Sequence, residues 1–182
     1  MFALTPRLTL RPGWPEDAPE LARAIGHEAV VRNLARAPWP YAEAHAAEFL
    51  GRAGDPREPN MLVFDRQAGA PRLIGGIGVD LDGEDGPELG YWFTPEAWGR
   101  GYATEAGRAM VAIARDALRL KRIGAGHFLD NPASGRVLTK LGFRRTGQVA
   151  RRHSRARGCD VACALFELDL DETRTGPMPL AA

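Results

Sequence analysis

Cysteine is scarce in this sequence: Cys159 and Cys163 are the only two among 182 residues. In a strand, a spacing of four puts both side chains on one face about 13 Å apart, at about 3.3 Å per residue. That separation is too long for a disulfide bond. The four histidines are scattered, so no second cluster of cysteine or histidine completes a zinc site. The sequence therefore predicts two reduced thiols, as in a cytoplasmic protein, and no metal.

Long apolar runs and an excess of one charge are also lacking. No apolar stretch reaches the ~18 residues that cross a bilayer, and residues 1–11 hold no run typical of a signal peptide. A net charge of +1 argues against a nucleic-acid-binding or membrane-surface protein as a whole. With 45% apolar and 26% charged residues, the composition predicts one globular domain over 1–172 and a disordered polar tail over 173–182.

The order of helical and extended patterns is typical of an α/β protein. Apolar residues spaced by three and four predict helices over 17–25, 27–35, 43–50, 101–119 and 132–141. Apolar runs bounded by turn residues predict strands over 7–11, 61–64, 73–79, 88–93, 123–129, 143–149 and 161–170. Early helices, a strand meander and then alternating elements indicate helices packed on a largely antiparallel sheet.

A glycine turn separates the strand over 88–93 from the most clearly amphipathic helix. Gly99 and Gly101 let backbone N–H groups point at one place without obstruction by side chains. The first helical turn adds unpaired N–H donors and the positive end of the helix dipole. The turn fits either a pyrophosphate site, with Arg100 adding charge at its rim, or a plain glycine turn. It has neither the lysine of a Walker loop nor the third glycine of a dinucleotide fingerprint.

Four motifs in order resemble the GCN5-related N-acetyltransferases (GNAT). They are LGYWF at 89–93, WGRGYATEA at 98–106, NPAS at 131–134 and LGF at 141–143. With RLTLRP at 7–12, they are similar to the branch that contains the ribosomal-protein N-terminal acetyltransferases. Trp98 stands where the wider family has Arg or Gln, a replacement common in that branch. The resemblance implies the GNAT fold, a mixed and mostly antiparallel sheet that is flanked by helices and splayed where the cofactor inserts.

The resemblance also implies acetyl-coenzyme A as cosubstrate. Its pyrophosphate is expected on the backbone N–H groups of residues 99–104, and its pantetheine arm along the strand edge at 92–94 and on Asn131. The expected cofactor contacts are Trp92, Phe93, Thr94, Trp98, Gly99, Arg100, Gly101, Tyr102, Ala103, Thr104, Asn131, Ser134 and Lys140.

Transfer of an acetyl group to an amine needs a base for the amine proton and an acid for the departing thiolate. Glu88 is placed like the base carboxylate of several family members; a solvated charge at a strand end is the alternative. The tyrosine that many relatives use as acid falls here on Leu138, so the resemblance points to Ser134 instead. Ordinary capping of a helix start is the alternative for Ser134 and Asn131.

The acceptor stays open between a protein N-terminus and a small-molecule amine. Trp39-Pro40-Tyr41 either lines the acceptor cleft or packs elsewhere, and Asp160 matches an aspartate frequent in the branch that is a candidate to steer the amine. Residues 144–157 hold six arginines. They fit a solvated loop, or a surface for an acidic substrate or for the phosphates of the cofactor or RNA.

Two other functions are compatible with the sequence. Because the usual acid tyrosine is absent, the chain also fits a catalytically silent acyl-coenzyme A sensor or interaction module. An RNA-associated protein acting through residues 144–157 is the third hypothesis, although nucleic acid is not the expected partner. Dimers are common in the family, so a homodimer is compatible with the resemblance.

Overall fold

A computed structural model of the protein describes residues 1–51, 59–67, 69–83 and 86–171. The predicted tail over 173–182 lies outside the described residues. The strands are β1 (Ala3–Leu4), β2 (Leu8–Pro12), β3 (Asn60–Asp65), β4 (Arg72–Asp80), β5 (Glu88–Phe93), β6 (Arg122–Phe128), β7 (Arg144–Ser154) and β8 (Cys159–Asp169). The helices are α1 (Ala18–Ile25), α2 (Glu28–Val31), α3 (Glu43–Gly51), α4 (Tyr102–Asp116) and α5 (Pro132–Lys140).

The described strands form one eight-stranded sheet in the order β1-β2-β3-β4-β5-β6-β8-β7. Neighbouring strands are antiparallel except β5 and β6, which are parallel. These two strands pair only through Glu88 with Gly124 and Leu89 with Ala125. Beyond that point they part, although both continue for several residues. The predicted mixed, mostly antiparallel and splayed sheet is confirmed, and the splay lies between β5 and β6.

Helices cover both faces of the sheet because strand side chains alternate between two apolar cores. On one face α4 packs through fully or almost fully buried side chains that repeat every four residues: Tyr102, Ala106, Met110 and Ala114. On the other face, α1 and α3 bury Leu21 and Ala46 against Leu62 of β3. This second layer covers the strands on the side opposite α4.

The helix predicted over 27–35 is wrong in length, since only the four residues of α2 are helical. The segment that follows α2 is bonded to the β7–β8 turn instead. Leu34 accepts a hydrogen bond from Ser154 Oγ at 3.3 Å, and Ala35 accepts one from the Arg155 N–H at 2.9 Å. These long-range bonds hold residues 34 and 35 against the β7–β8 turn.

The loop interpretation of residues 144–157 is also wrong. Strand β7 continues to Ser154 and pairs with β8, so only the last residues of the arginine-rich segment form a turn. β7 is the last strand in the sheet, with one neighbour and mostly exposed side chains. Polar residues are tolerated on such an edge, and for that reason the apolar pattern predicted a strand that stops too early.

Within the described ranges, no helix is long and apolar enough to span a membrane. The same residues contain no group of three or more His, Cys, Asp and Glu side chains placed to hold a metal ion. Cys159 is exposed, Cys163 is buried, and both are free thiols.

Candidate functional site

A left-handed glycine turn connects the end of β5 to α4. Gly99 and Gly101 have φ angles of 72° and 78°, which glycine adopts without strain. Gly101 is the N-cap of α4, and no side chain in the described part of the chain caps it. The first N–H groups of a helix lack acceptors inside the helix, so those of residues 102–104 can serve an anion. A Cβ atom added at Gly99 would meet no heavy atom within 4 Å, so the turn is open to a ligand.

The N-terminal segment holds this turn in place. Glu105, in the first turn of α4, accepts hydrogen bonds from Arg7 Nε at 2.6 Å, from the Arg7 backbone N–H at 2.9 Å and from Thr5 Oγ1 at 2.5 Å. Arg7 Nη1 also donates to the Arg100 carbonyl at 3.0 Å. Burial raises the pKa of Glu105, but the bonds from Thr5 and Arg7 outweigh it and lower the pKa overall. Because Arg7 neutralises this carboxylate, it does not repel an anion at the turn.

The gap between β5 and β6 exposes backbone groups of β5. The Thr94 N–H donates to the Ile74 carbonyl at 2.9 Å, away from the gap. Hydrogen-bonding direction alternates along a strand, so the N–H and C=O of Phe93 point into the gap. Trp98 Nε1 donates to the Phe93 carbonyl at 2.8 Å. Within the segment 92–94 expected to meet the cofactor, the Phe93 N–H is therefore the group directed at the gap.

Ser134 lies at the start of α5, next to a tyrosine that sequence reasoning missed. Tyr91 Oη is 2.8 Å from Ser134 Oγ and donates to the Ser134 carbonyl at 3.1 Å. Burial raises the pKa of Tyr91 to about 12, against the opposing hydrogen bond with Ser134. The phenol therefore keeps its proton at neutral pH. Asn131 caps α5, accepting the Ser134 N–H on its side chain at 3.4 Å.

Leu138, at the position of the acid tyrosine of many relatives, is fully buried in the core. The tyrosine nearest to Ser134 instead comes from β5, 43 residues earlier in the chain. A search at the spacing used by relatives does not find it. The only sequence signal is its place within the LGYWF motif, at the strand that borders the gap.

Glu88, the first residue of β5, is paired with Arg152 of β7 rather than solvated. Arg152 Nη1 and Nη2 donate to the two carboxylate oxygens of Glu88 at 2.5 and 2.7 Å. Gly126 of β6 leaves space beside this pair, because a Cβ there would lie 3.2 Å from Arg152 Nη1 and 2.8 Å from Cys163 Sγ. Burial raises the pKa of the Cys163 thiol, and Arg152 opposes this shift only in part. The thiol is therefore neutral and a poor nucleophile.

One cavity of about 1060 Å³ joins these features and is called the cleft below. It extends from the glycine turn through the β5–β6 gap to the β7 arginines, with α2 and α3 on the opposite wall. Most of the predicted site residues line it: Glu88, Trp92, Phe93, Trp98, Gly99, Gly101, Tyr102, Ala103, Thr104, Asn131, Ser134 and Lys140.

A sequence model of the acetyltransferase (GNAT) domain matches residues 7–144. The chain belongs to the GNAT acetyltransferase family. It is 28% identical over 174 residues to the uncharacterized N-acetyltransferase p20 of Bacillus licheniformis, covering 90% of this chain and 93% of p20. It is 44% identical over 71 residues to the uncharacterized N-acetyltransferase YoaA of Bacillus subtilis, a stretch that spans 39% of this chain and 40% of YoaA.

The fold comparison agrees with this membership. A crystal structure of a GNAT-family acetyltransferase from Bacillus anthracis has a TM-score of 0.78 at 23% identity, covering 94% of this chain and 99% of that one. At this level of identity the likeness is one of fold. The predicted GNAT fold is confirmed.

Some predicted residues of this GNAT chain lie outside the lining of the cleft. Thr94 is buried with its N–H bonded to Ile74, and the exposed Arg100 lies over the Tyr102 ring at 5.0 Å. Asp160 is exposed, 3.0 Å from His153 Nδ1.

In the early segment of the GNAT chain, Tyr41 lines the cleft, whereas Trp39 is exposed and does not belong to the lining. Tyr41 also packs against both apolar clusters of the α1–α3 layer and lies 5.5 Å from the ring of His45. Of the two aromatic side chains at 39–41, Tyr41 therefore both lines the cleft and packs in this layer, and its contact with an acceptor stays a prediction.

The arginines of segment 144–157 have separate partners in the GNAT fold. Arg157 donates to both carboxylate oxygens of Asp130 at 2.7 and 3.1 Å and to the Arg32 carbonyl at 2.7 Å. The hydrogen bond from Arg157 lowers the pKa of Asp130. Arg151 Nη2 donates to the Asp160 carbonyl at 3.0 Å. Arg157 therefore holds the β7–β8 turn against Asp130 and Arg32, while Arg152 lines the cleft.

Proposed function

We propose that the protein transfers an acetyl group from acetyl-coenzyme A directly to a primary amine. The observation that carries the proposal is the uncapped glycine turn at the start of α4, which opens into the cleft that also holds Glu88 and Ser134. An anion site and two groups suited to proton transfer in one cavity match the chemistry of the family to which the chain belongs.

The cosubstrate fits the residues present. The turn is open at Gly99, and a Cβ at Gly101 would meet only Arg7 Nη2, at 3.6 Å, so the pyrophosphate has access to the N–H groups of residues 99–104. The pantetheine arm runs along the β5 edge, where the Phe93 N–H faces the gap. Asn131, Ser134 and Lys140, on the α5 side of the cleft, complete the contacts.

Residues on the two sides of the β5–β6 gap carry out the two proton transfers. On the acceptor side, Glu88 takes a proton from the amine, directly or through a water, as the nitrogen attacks the thioester carbonyl. A C–N bond forms and the C–S bond breaks. On the α5 side, the Ser134 hydroxyl protonates the departing thiolate. Tyr91 Oη, at 2.8 Å, turns its proton from the Ser134 carbonyl to Ser134 Oγ, and the phenol, which is protonated at neutral pH, then regains a proton from water.

The narrower assignment to the branch of the ribosomal-protein N-terminal acetyltransferases belongs to the same proposal. It is supported by the RLTLRP motif at 7–12 and by Trp98. Arg7 from this motif bonds Glu105 and the Arg100 carbonyl, and Trp98 bonds the end of β5. Both features therefore stabilise the glycine turn. A cytoplasmic location is part of this proposal.

The test is release of coenzyme A from acetyl-coenzyme A by the purified protein, measured with a thiol reagent against amine acceptors. The panel contains peptides with free N-termini, free amino acids, polyamines and aminoglycosides. We expect release that depends on the acceptor. Tight binding of acetyl-coenzyme A with no turnover on any acceptor would instead support the silent sensor module. The missing acid tyrosine suggested that module, and Tyr91 beside Ser134 weakens this suggestion.

Replacement of Tyr91 by phenylalanine tests the acid. The change removes one hydrogen bond to Ser134 and keeps the ring, so we expect kcat to fall roughly 10-fold with the KM for acetyl-coenzyme A unchanged. The measurement is steady-state kinetics of Tyr91→Phe, Ser134→Ala and the double variant. If Tyr91 acts through Ser134, adding Tyr91→Phe to Ser134→Ala costs little further activity. Fully additive losses would refute the relay.

A further inference from the structure

Two opposite charges lie side by side in one wall of the cleft. Both carboxylate oxygens of Glu88 are bonded to the two terminal nitrogens of Arg152. The side chains of Glu88 and Arg152 are 24% and 20% exposed, and both line the cleft. A ligand that enters the cleft therefore meets a carboxylate and a guanidinium together, rather than a lone carboxylate.

The space beside this pair is open. Gly90 lies two residues beyond Glu88, on the same face of β5. A Cβ atom added at Gly90 would meet no heavy atom within 4 Å, and the residue is exposed. Trp92 follows on that face and also lines the cleft. A small acceptor has room above Gly90, next to Glu88, since the indole of Trp92 lies over Gly76 of β4.

The proposed reaction changes the charge of the pair. When Glu88 takes the proton of the amine it becomes neutral, and its ion pair with Arg152 ends. An acceptor that carries an anion next to its amine offers the Arg152 guanidinium a new charge-assisted pair in the same wall of the cleft.

We propose that the acceptor is a small zwitterion with its amine and carboxylate on the same carbon, as in a free α-amino acid. Its ammonium faces Glu88 and its carboxylate faces Arg152, so two ion pairs replace one. This inference rests on the proposed function, because it names the acceptor of the same acetyl transfer.

Other amine classes fit the wall less well. A polyamine presents several cations, and a protein N-terminus has an amide where an α-amino acid has its carboxylate. Neither brings a carboxylate beside its amine that could pair with Arg152. The wall is also basic beyond the pair, since Arg151 and Arg155 line the cleft, and the nearby Asp80 is already paired with Arg36.

The first experiment compares matched acceptors with the wild-type protein. For each of several side chains, the free amino acid, its amide and its decarboxylated amine are tested as acceptors; phenylalanine, phenylalanine amide and phenethylamine form one set. We expect kcat/KM for the preferred free acid to exceed that of its two analogues by roughly 10- to 100-fold. Equal or faster transfer to the amides, amines or peptide N-termini would overturn the zwitterion assignment. It would not contradict the proposed acetyl transfer.

The second experiment tests whether Arg152 binds the carboxylate of the acceptor. Arg152→Gln should reduce the advantage of the free acid over its amide to near one, mainly through a higher KM for the acid. Arg145→Gln is the matched control, because Arg145 is an exposed residue of the same strand, outside the cleft and over the Phe166 ring. A preference for the free acid that survives in Arg152→Gln refutes the role of Arg152.

Binding gives a readout that does not depend on turnover. Calorimetric titration of free amino acids and their amides into the coenzyme A-loaded protein should show binding of the acid alone, lost in Arg152→Gln. If no amine in any assay is acetylated, the proposed function fails, yet this titration still decides whether the pair binds zwitterions. No binding of any amino acid, with or without turnover of other amines, overturns the inference.

Discussion

Replacement of Gly101 by valine should weaken binding of acetyl-coenzyme A by at least about 10-fold. Gly101 has a φ of 78° at the N-cap of α4, and a β-branched residue is a genuine outlier there. The valine either stays strained, at a cost of about 1–3 kcal/mol, or rotates the peptide. Rotation would turn the N–H groups of the turn away from the pyrophosphate. The measurement is calorimetric titration with acetyl-coenzyme A.

Gly147 provides the matched control. It has a φ of 84° within β7, and a Cβ there would meet no heavy atom within 4 Å. Gly147→Val therefore introduces comparable backbone strain away from the cleft and should lower thermal stability without changing cofactor affinity. If Gly101→Val loses stability like this control but keeps its affinity, the pyrophosphate is not bound at the turn.

Replacement of Glu88 by glutamine should lower kcat by about 10²- to 10⁴-fold, the range expected for loss of a general base. Glutamine has nearly the same shape and offers Arg152 one oxygen, but it does not accept the amine proton. The glycine turn and α5 are untouched, so affinity for acetyl-coenzyme A should stay the same. The measurement is kcat across pH together with calorimetric titration.

A matched control separates this effect from the general loss of one surface carboxylate. Glu167→Gln is the control, since Glu167 on β8 forms an exposed pair with Arg122 at 3.8 Å, away from the cleft. An unchanged kcat across pH in Glu88→Gln would exclude Glu88 as the base.

The elements that sequence reasoning located well are those with a local signal. The glycine turn, the amphipathic α4 and the Asn131 cap depend on residues close together in the chain, and the structure has each where the spacing predicts it. The order of strands and helices was enough for the fold class. The splay was expected from the family resemblance, and the sequence contains no separate signal for it.

The features that sequence reasoning missed depend on distant residues. Tyr91 meets Ser134 across 43 residues and Glu88 meets Arg152 across 64. Such contacts require the packing of α5 against β6 and the pairing of β7 with β8, neither of which has a local signature. Because Glu88 is paired with Arg152, a ligand at this position meets two opposite charges rather than one carboxylate. For this reason we propose a zwitterionic acceptor rather than any primary amine.

The outer edge of the sheet has a consequence for how the protein behaves at high concentration. β7 ends the sheet with a row of arginines and mostly exposed side chains, and β1 ends the other side with two residues. Like charges on one edge repel a second copy that approaches strand to strand, and a two-residue edge offers little to pair with. Both edge strands therefore disfavour pairing with an edge strand of a second copy. A homodimer of this chain is expected to use a helical or loop surface instead.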